Sequence, residues 1–150
     1  MKDIEVKLVQ TVSDFLEMSS GIKKWDAKPS PEKWSPKEII GHLIDSAHIN
    51  LERFVRCTYE ENFRLVYFQD EWVKAQHYQD TDEAELLKLW ELVNLQIARV
   101  LAKYPPERQQ VKCDTGRYSP QFNTLAFVAQ DYIRHLQHHL HQIMTLNDAC

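Results

Sequence analysis

Three histidines have types and positions that could do chemistry. His42 stands alone in an early segment, while His135 and His139 lie four apart within His135-Leu136-Gln137-His138-His139-Leu140-His141-Gln142. Residues at i and i+4 share one face of a helix, about one turn apart. Two imidazoles so placed can converge on one ion, and a third from another helix completes a three-nitrogen set. Three protein ligands leave a coordination position open, as a catalytic metal requires. The bland alternative is three core histidines, each bonded to a carbonyl or side chain of a neighbouring helix.

Carboxylates and amides near these positions are candidates for a supporting role. Asp45 is three residues after His42, and Asp131 is four before His135. Either suits a ligand, an orienting acceptor or a general base, and each is also an ordinary helix carboxylate. Gln142 lies one turn beyond His139, where it could bond a metal-bound water or a substrate. His138 adjoins the pair. His48 points about 240° away from His42 around a helix and is no natural fourth ligand. His77 is expected at the surface. A di-iron site would need two Glu-x-x-His motifs, and only Asp45-Ser46-Ala47-His48 imitates one, with the wrong acid.

Helices must position these side chains. Gly and Pro are sparse (three and six residues) and strand-like alternation is not sustained, so the chain reads as long helices joined by loops. The first is expected over 3–20, with Ile4, Leu8, Val12, Phe15 and Met18 inward and Gly21 at C′. The second has the clearest start: Ser35 as N-cap, Pro36 at N1 and Glu38 closing a capping box. Its inward stripe is Ile39, His42, Leu43, Ser46, Ile49 and Phe54. Residues 61–80 read as a short packed helix or an ordered crossover.

Asp80 or Thr81 is expected to cap the third long helix, whose stripe is Leu86, Trp90, Val93, Ile97 and Val100 before Pro105 and Pro106. The fourth is expected to begin after Asn123 and to reach about Leu146. Its stripe, Leu125, Val128, Tyr132, His135, His139, Gln142 and Leu146, carries both histidines inward and leaves His141 on the opposite face. These helices predict an all-α, four-helix bundle in one domain over 1–150, with connections long enough for crossovers.

Bulk properties narrow the function. A net charge of −4 argues against a nucleic-acid groove. No apolar run approaches the length of a membrane span. Met1-Lys2-Asp3-Ile4-Glu5 lacks the apolar core of a secretory signal. Cys57, Cys113 and Cys150 are odd in number and widely spaced, unlike a disulfide framework or a thiolate zinc site. A cytoplasmic protein acting on a small molecule is the expectation.

Two segments resemble a known family. Trp34-Ser35-Pro36-Lys37-Glu38-Ile39-Ile40-Gly41-His42-Leu43-Ile44-Asp45-Ser46 is similar to the second helix of DinB/YfiT-like proteins. His135-x-x-His138-His139-x-x-Gln142-Ile143 is similar to their fourth, and Tyr78 with Asp70-Glu71-Trp72 resembles their crossover. The resemblance implies up-down-down-up topology and a homodimer. It also implies a divalent metal held by His42, His135 and His139, zinc or nickel first, with manganese or iron as alternatives. Relatives include S-transferases that use low-molecular-weight thiols such as bacillithiol or mycothiol, a maleylpyruvate isomerase, and proteins called metal-dependent hydrolases. A metal-activated thiolate or water would be the reagent. A non-catalytic, stress-associated metal-binding bundle remains the alternative at this point. Asp45, Asp131, His138 and Gln142 are the candidate supporting residues for either reaction.

Overall fold

The computed structural model describes residues 1–149; Cys150 lies outside them. Four long helices form the body: α1 (Lys2–Ser19), α2 (Pro36–Arg56), α4 (Glu83–Ala102) and α5 (Leu125–Asp148). A short helix α3 (Gln69–Gln76) and a 3-10 turn at Tyr78–Asp80 lie in the crossover from α2 to α4. An antiparallel pair of three-residue strands, β1 (Lys112–Asp114) and β2 (Phe122–Thr124), precedes α5. Strands this short leave no alternation to read, which is why the sequence reading passes over them.

Side-chain bonds between helix ends fix the topology. At one end, the Ser35 hydroxyl donates to Gln79 (2.6 Å) and Lys37 pairs with Glu83 (4.0 Å). At the other, the Tyr104 hydroxyl donates to the Phe54 carbonyl (3.0 Å). Both ends of α2 therefore meet the matching ends of α4, and the two run parallel. Gln137 on α5 donates to Thr11 on α1 (3.3 Å), and Lys23 N–H, just past α1, donates to Asn147 near the end of α5 (3.2 Å). Hence α1 and α5 run parallel to each other; Lys37 N–H at the start of α2 donates to the Trp25 carbonyl just past the end of α1 (3.1 Å), so α2 runs opposite to α1 and the order is up-down-down-up. Both α4 and α5 pack on α1 and on α2.

The most enclosed helix is α2. Pro36, Lys37 and all of Ile39–Ala47 are buried, so one face meets α4, another α5, and a third the crossover. Its start is built as the sequence demands. Ser35 Oγ accepts from Glu38 N–H (3.2 Å), and the Glu38 carboxylate accepts from Ser35 N–H (2.9 Å). Such a cap contributes about 1 kcal/mol and fixes where the helical register begins.

Three sequence expectations shift. Met18 is exposed, because the buried stripe of α1 runs Leu8, Val12, Phe15 and Ser19. Gly21 is not left-handed; its N–H simply closes a turn onto the Met18 carbonyl (3.1 Å). Asp82 caps α4, accepting from Ala84 N–H (2.9 Å) and Glu85 N–H (3.3 Å). Asp80 is used up in the 3-10 turn, which pushes the start of α4 onward. No helix is long and apolar enough to cross a membrane among the described residues.

Candidate metal centre

His42 sits in the second turn of α2, flanked by the fully buried Ile39, Ile40 and Leu43, and is itself only 1% exposed. The Trp34 indole lies 4.9 Å from its ring at a tilt of 33°. Antiparallel α5 brings His135 and His139 against it. Their ring centroids are 5.1 and 4.8 Å from that of His42, and 4.6 Å from each other. One ligand nitrogen from each of the three falls within 4.8 Å of the others. His135 and His139 are half-buried rather than core. The fully buried stripe of α5 runs beside them through Tyr132, Leu136, Leu140 and Ile143, so they border a cleft instead of filling the interior. Gln142, expected inward, is exposed.

Protonation and orientation suit a cation. Burial, then the positive charge that His135 and His139 would carry, then Arg117, push His42 down to about 3. Burial and His139 push His135 down to about 4, with Asp131 opposing. Burial likewise lowers His139, although its bond to Gln142 opposes this. All three imidazoles are therefore neutral at pH 7, the form that ligates metal. His42 Nε2 and His135 Nε2 face each other at 3.1 Å. His139 Nδ1 bonds the Gln142 amide oxygen (2.9 Å), which fixes the proton on Nδ1 and frees Nε2. Nitrogens 2.0–2.1 Å from a tetrahedral ion lie roughly 3.3 Å apart, close to the His42–His135 separation already present. The donor set fits a divalent metal after a small inward movement of His139. His42 Nδ1 departs from the usual pattern, being buried without a hydrogen-bond partner among the described residues. The Trp34 ring restrains that imidazole by stacking.

Gln142→Leu removes the acceptor that sets the His139 tautomer. Metal affinity is expected to fall by roughly 10–100-fold with the fold unchanged. Chelator competition reads this; equal affinity in the variant would show that Gln142 has no such part.

The other sequence candidates lie around this cluster. Asp45 is fully buried and faces the crossover. Tyr78 donates its hydroxyl to Asp45 Oδ1 (2.5 Å), and Gln76 Nε2 donates to the same oxygen (2.9 Å). No hydrogen bond or ion pair joins it to the three histidines among the described residues, so its contacts hold the crossover on α2. Burial raises its pKa despite these two bonds. Asp131 pairs with Arg134 on the rim. His138 is exposed, its ring 5.1 Å from that of His139. His48 bonds its own helix at the Ile44 carbonyl (3.0 Å), and His77 and His141 are exposed.

Asp45 gives a prediction with a sign. A carboxyl whose folded pKa is raised stabilises the fold in its protonated form, and that contribution is lost as pH climbs through the shifted value. Asp45→Asn keeps an acceptor for Tyr78 and Gln76 and cannot ionise. It is expected to match or exceed the parent in stability at pH 8, with its advantage vanishing at low pH. Asp45→Ala orphans both donors and is expected to cost about 2–3 kcal/mol. Urea denaturation across pH checks both; a destabilised Asn variant would show that the ionised form holds the crossover.

A cleft of about 350 Å³ opens beside His135, between α2, α5, the crossover and the β1–β2 connection. Its lining includes Arg53, Tyr67, Arg117 and Asn123. None of these is among the site candidates read from the sequence. The signal was present in α2, where polar Ser46, Asn50 and Arg53 follow His42 at steps of 4, 4 and 3.

Comparison with known proteins supports the same architecture. YfiT from Bacillus subtilis, described as a probable metal-dependent hydrolase with an unusual four-helix bundle topology, superposes with a TM-score of 0.87 at 18% identity. The match covers 99% of this chain and 86% of YfiT. No curated protein matches the sequence. The family model of the DinB superfamily matches residues 8–143. That span takes in α2, the crossover and both histidines of α5, and the chain belongs to the DinB superfamily.

Proposed function

We propose that His42, His135 and His139 hold one divalent metal, zinc or nickel first, and that the protein is a small-molecule metalloenzyme of the hydrolase or thiol S-transferase type. The observation that carries this reading is three imidazoles from two helices converging within 4.8 Å, one of them, His135, lining an open cleft. When bound there, a divalent ion with three neutral ligands keeps its charge and an open position, and brings the pKa of a coordinated water or thiol toward neutrality. The chain's own residues do the rest. The packed α2 holds His42 rigidly, Gln142 sets the His139 proton, and Trp34 blocks one face of His42. The cleft beside His135 admits the substrate, with a low-molecular-weight thiol as co-substrate in the transferase case. A homodimer belongs to the same proposal, with Val6 and Val9 of α1 and Leu89 and Leu92 of α4 exposed on two adjacent helices.

The test is a cobalt-substituted sample titrated with a thiol, azide and acetohydroxamate. An open position predicts that at least one of them changes the visible spectrum. A spectrum indifferent to all three would mean a closed site that stores or sequesters metal.

A further inference from the structure

Beyond the histidines, the cleft contains an unbalanced cation. Arg53 is only 9% exposed. Its Nη2 donates to the Leu65 carbonyl (2.7 Å) and its Nη1 to Asn50 Oδ1 (3.3 Å), but its Nε has no partner. No carboxylate lies within ion-pair distance of it among the described residues. Asp114, the acid on that side, is spent on the backbone N–H groups of Gly116 (2.9 Å) and Gln121 (2.7 Å) and on Arg64 (3.9 Å). A buried guanidinium with neither full hydrogen bonding nor a counter-charge is costly to the fold. Its cavity is not balanced by other means. Arg117 also lines it without an acidic partner among the described residues, where the one acid in the lining, Asp131, is paired with Arg134.

Geometry connects this cation to the three histidines. His42 and Arg53 lie eleven residues apart on α2, three turns within about 20°, with Ser46 and Asn50 between them. They therefore share one face, with His42 and Arg53 roughly 16 Å apart along the axis. On the facing helix, His135 lines the same cavity with Asp131, Tyr132 and Val128. The slot thus has His135, with His42 Nε2 3.1 Å behind it, at one end, a buried arginine at the other, and polar Ser46 and Asn50 between. A guanidinium edge matches a carboxylate in a bidentate manner.

We propose that this cleft binds an elongated small molecule ending in a carboxylate, with the carboxylate on Arg53, Arg117 adding its field, and the reacting group at the three histidines. This rests on the metal reading above and specifies the substrate class of that site.

The test uses cobalt-loaded protein and a series of ω-mercaptoalkanoic acids of increasing length, each against the ω-mercaptoalkanol of equal length. At the length that spans the slot, the acid is expected to bind about tenfold tighter than the alcohol, as a charged hydrogen bond to arginine implies. In Arg53→Met, whose side chain fills similar volume without charge, that ratio is expected to fall to about one. Acid and alcohol binding alike at every length, while both still change the spectrum, would overturn this proposal and leave the metal centre standing. If cobalt does not bind, the metal reading fails, and metal-free protein decides the present proposal. Titration with hexanoate is expected to move the Arg53 Nε–H resonance to saturation while hexanol leaves it in place. A resonance indifferent to both would overturn it without any variant.

Discussion

His42→Ala is expected to lower zinc affinity by more than the roughly 10–100-fold that an outer partner contributes, while leaving the metal-free protein folded. His42 is the member of the three-histidine group that α2 supplies, so its loss leaves two histidines of a single helix to hold the ion. The fold should tolerate the change. Nδ1 of His42 has no protein partner, and Nε2 faces only His135, so truncation orphans little. A chelator competition gives the affinity, and thermal unfolding of the metal-free forms gives the stability. Unchanged zinc affinity would remove His42 from the site. A metal-free variant that unfolds would mean that its packing under Trp34 matters more than its nitrogen.

Gly41→Ala is expected to cost about 3 kcal/mol, even though alanine is intrinsically better in a helix by roughly 1 kcal/mol. A Cβ at Gly41 would lie 2.0 Å from Cδ2 of the Tyr78 ring. The ring must leave, and with it goes the hydroxyl that Asp45 accepts. Urea denaturation measures the loss. The physical cause is tested by a double-variant cycle with Tyr78→Ala, in which Gly41→Ala should cost little once the ring is gone. A loss below about 0.5 kcal/mol in the parent background would show that the crossover shifts freely on α2, contrary to tight packing.

These two residues adjoin in sequence and show how far a one-dimensional pattern reaches. His42 was legible because a polar residue in an apolar helical stripe needs an explanation, and because a spaced histidine pair supplied a partner. Ser35-Pro36-Lys37-Glu38 located the start of α2, since capping is local chemistry between residues three apart. The bundle was legible in the same way, from periodicity with few breakers. Its up-down-down-up order came only through resemblance, because helix direction depends on which ends meet, and contacts such as Ser35–Gln79 span too many residues for a local pattern.

Other features escaped for related reasons. Asp82 took the cap expected at Asp80 or Thr81 because a 3-10 turn, invisible to periodicity, used up those residues. The stripe of α5 was shifted toward the histidines, since a half-buried cleft wall and a core face share one period. Arg53 is not among the site candidates read from the sequence, because arginine on a helix is ordinarily a solvated charge. Only the crossover and hairpin folding over that face make it buried, and they join it through contacts far apart in sequence, such as Arg53 with the Leu65 carbonyl.

Elemental analysis tests the central claim most directly. The sample is untagged protein, purified without nickel resin or chelator, beside a His135→Ala/His139→Ala variant prepared in parallel. The account predicts close to one divalent metal per chain in the parent and none in the variant. Parent protein that carries no metal and takes up no added zinc, nickel or manganese would contradict it. So would a variant that retains the full complement.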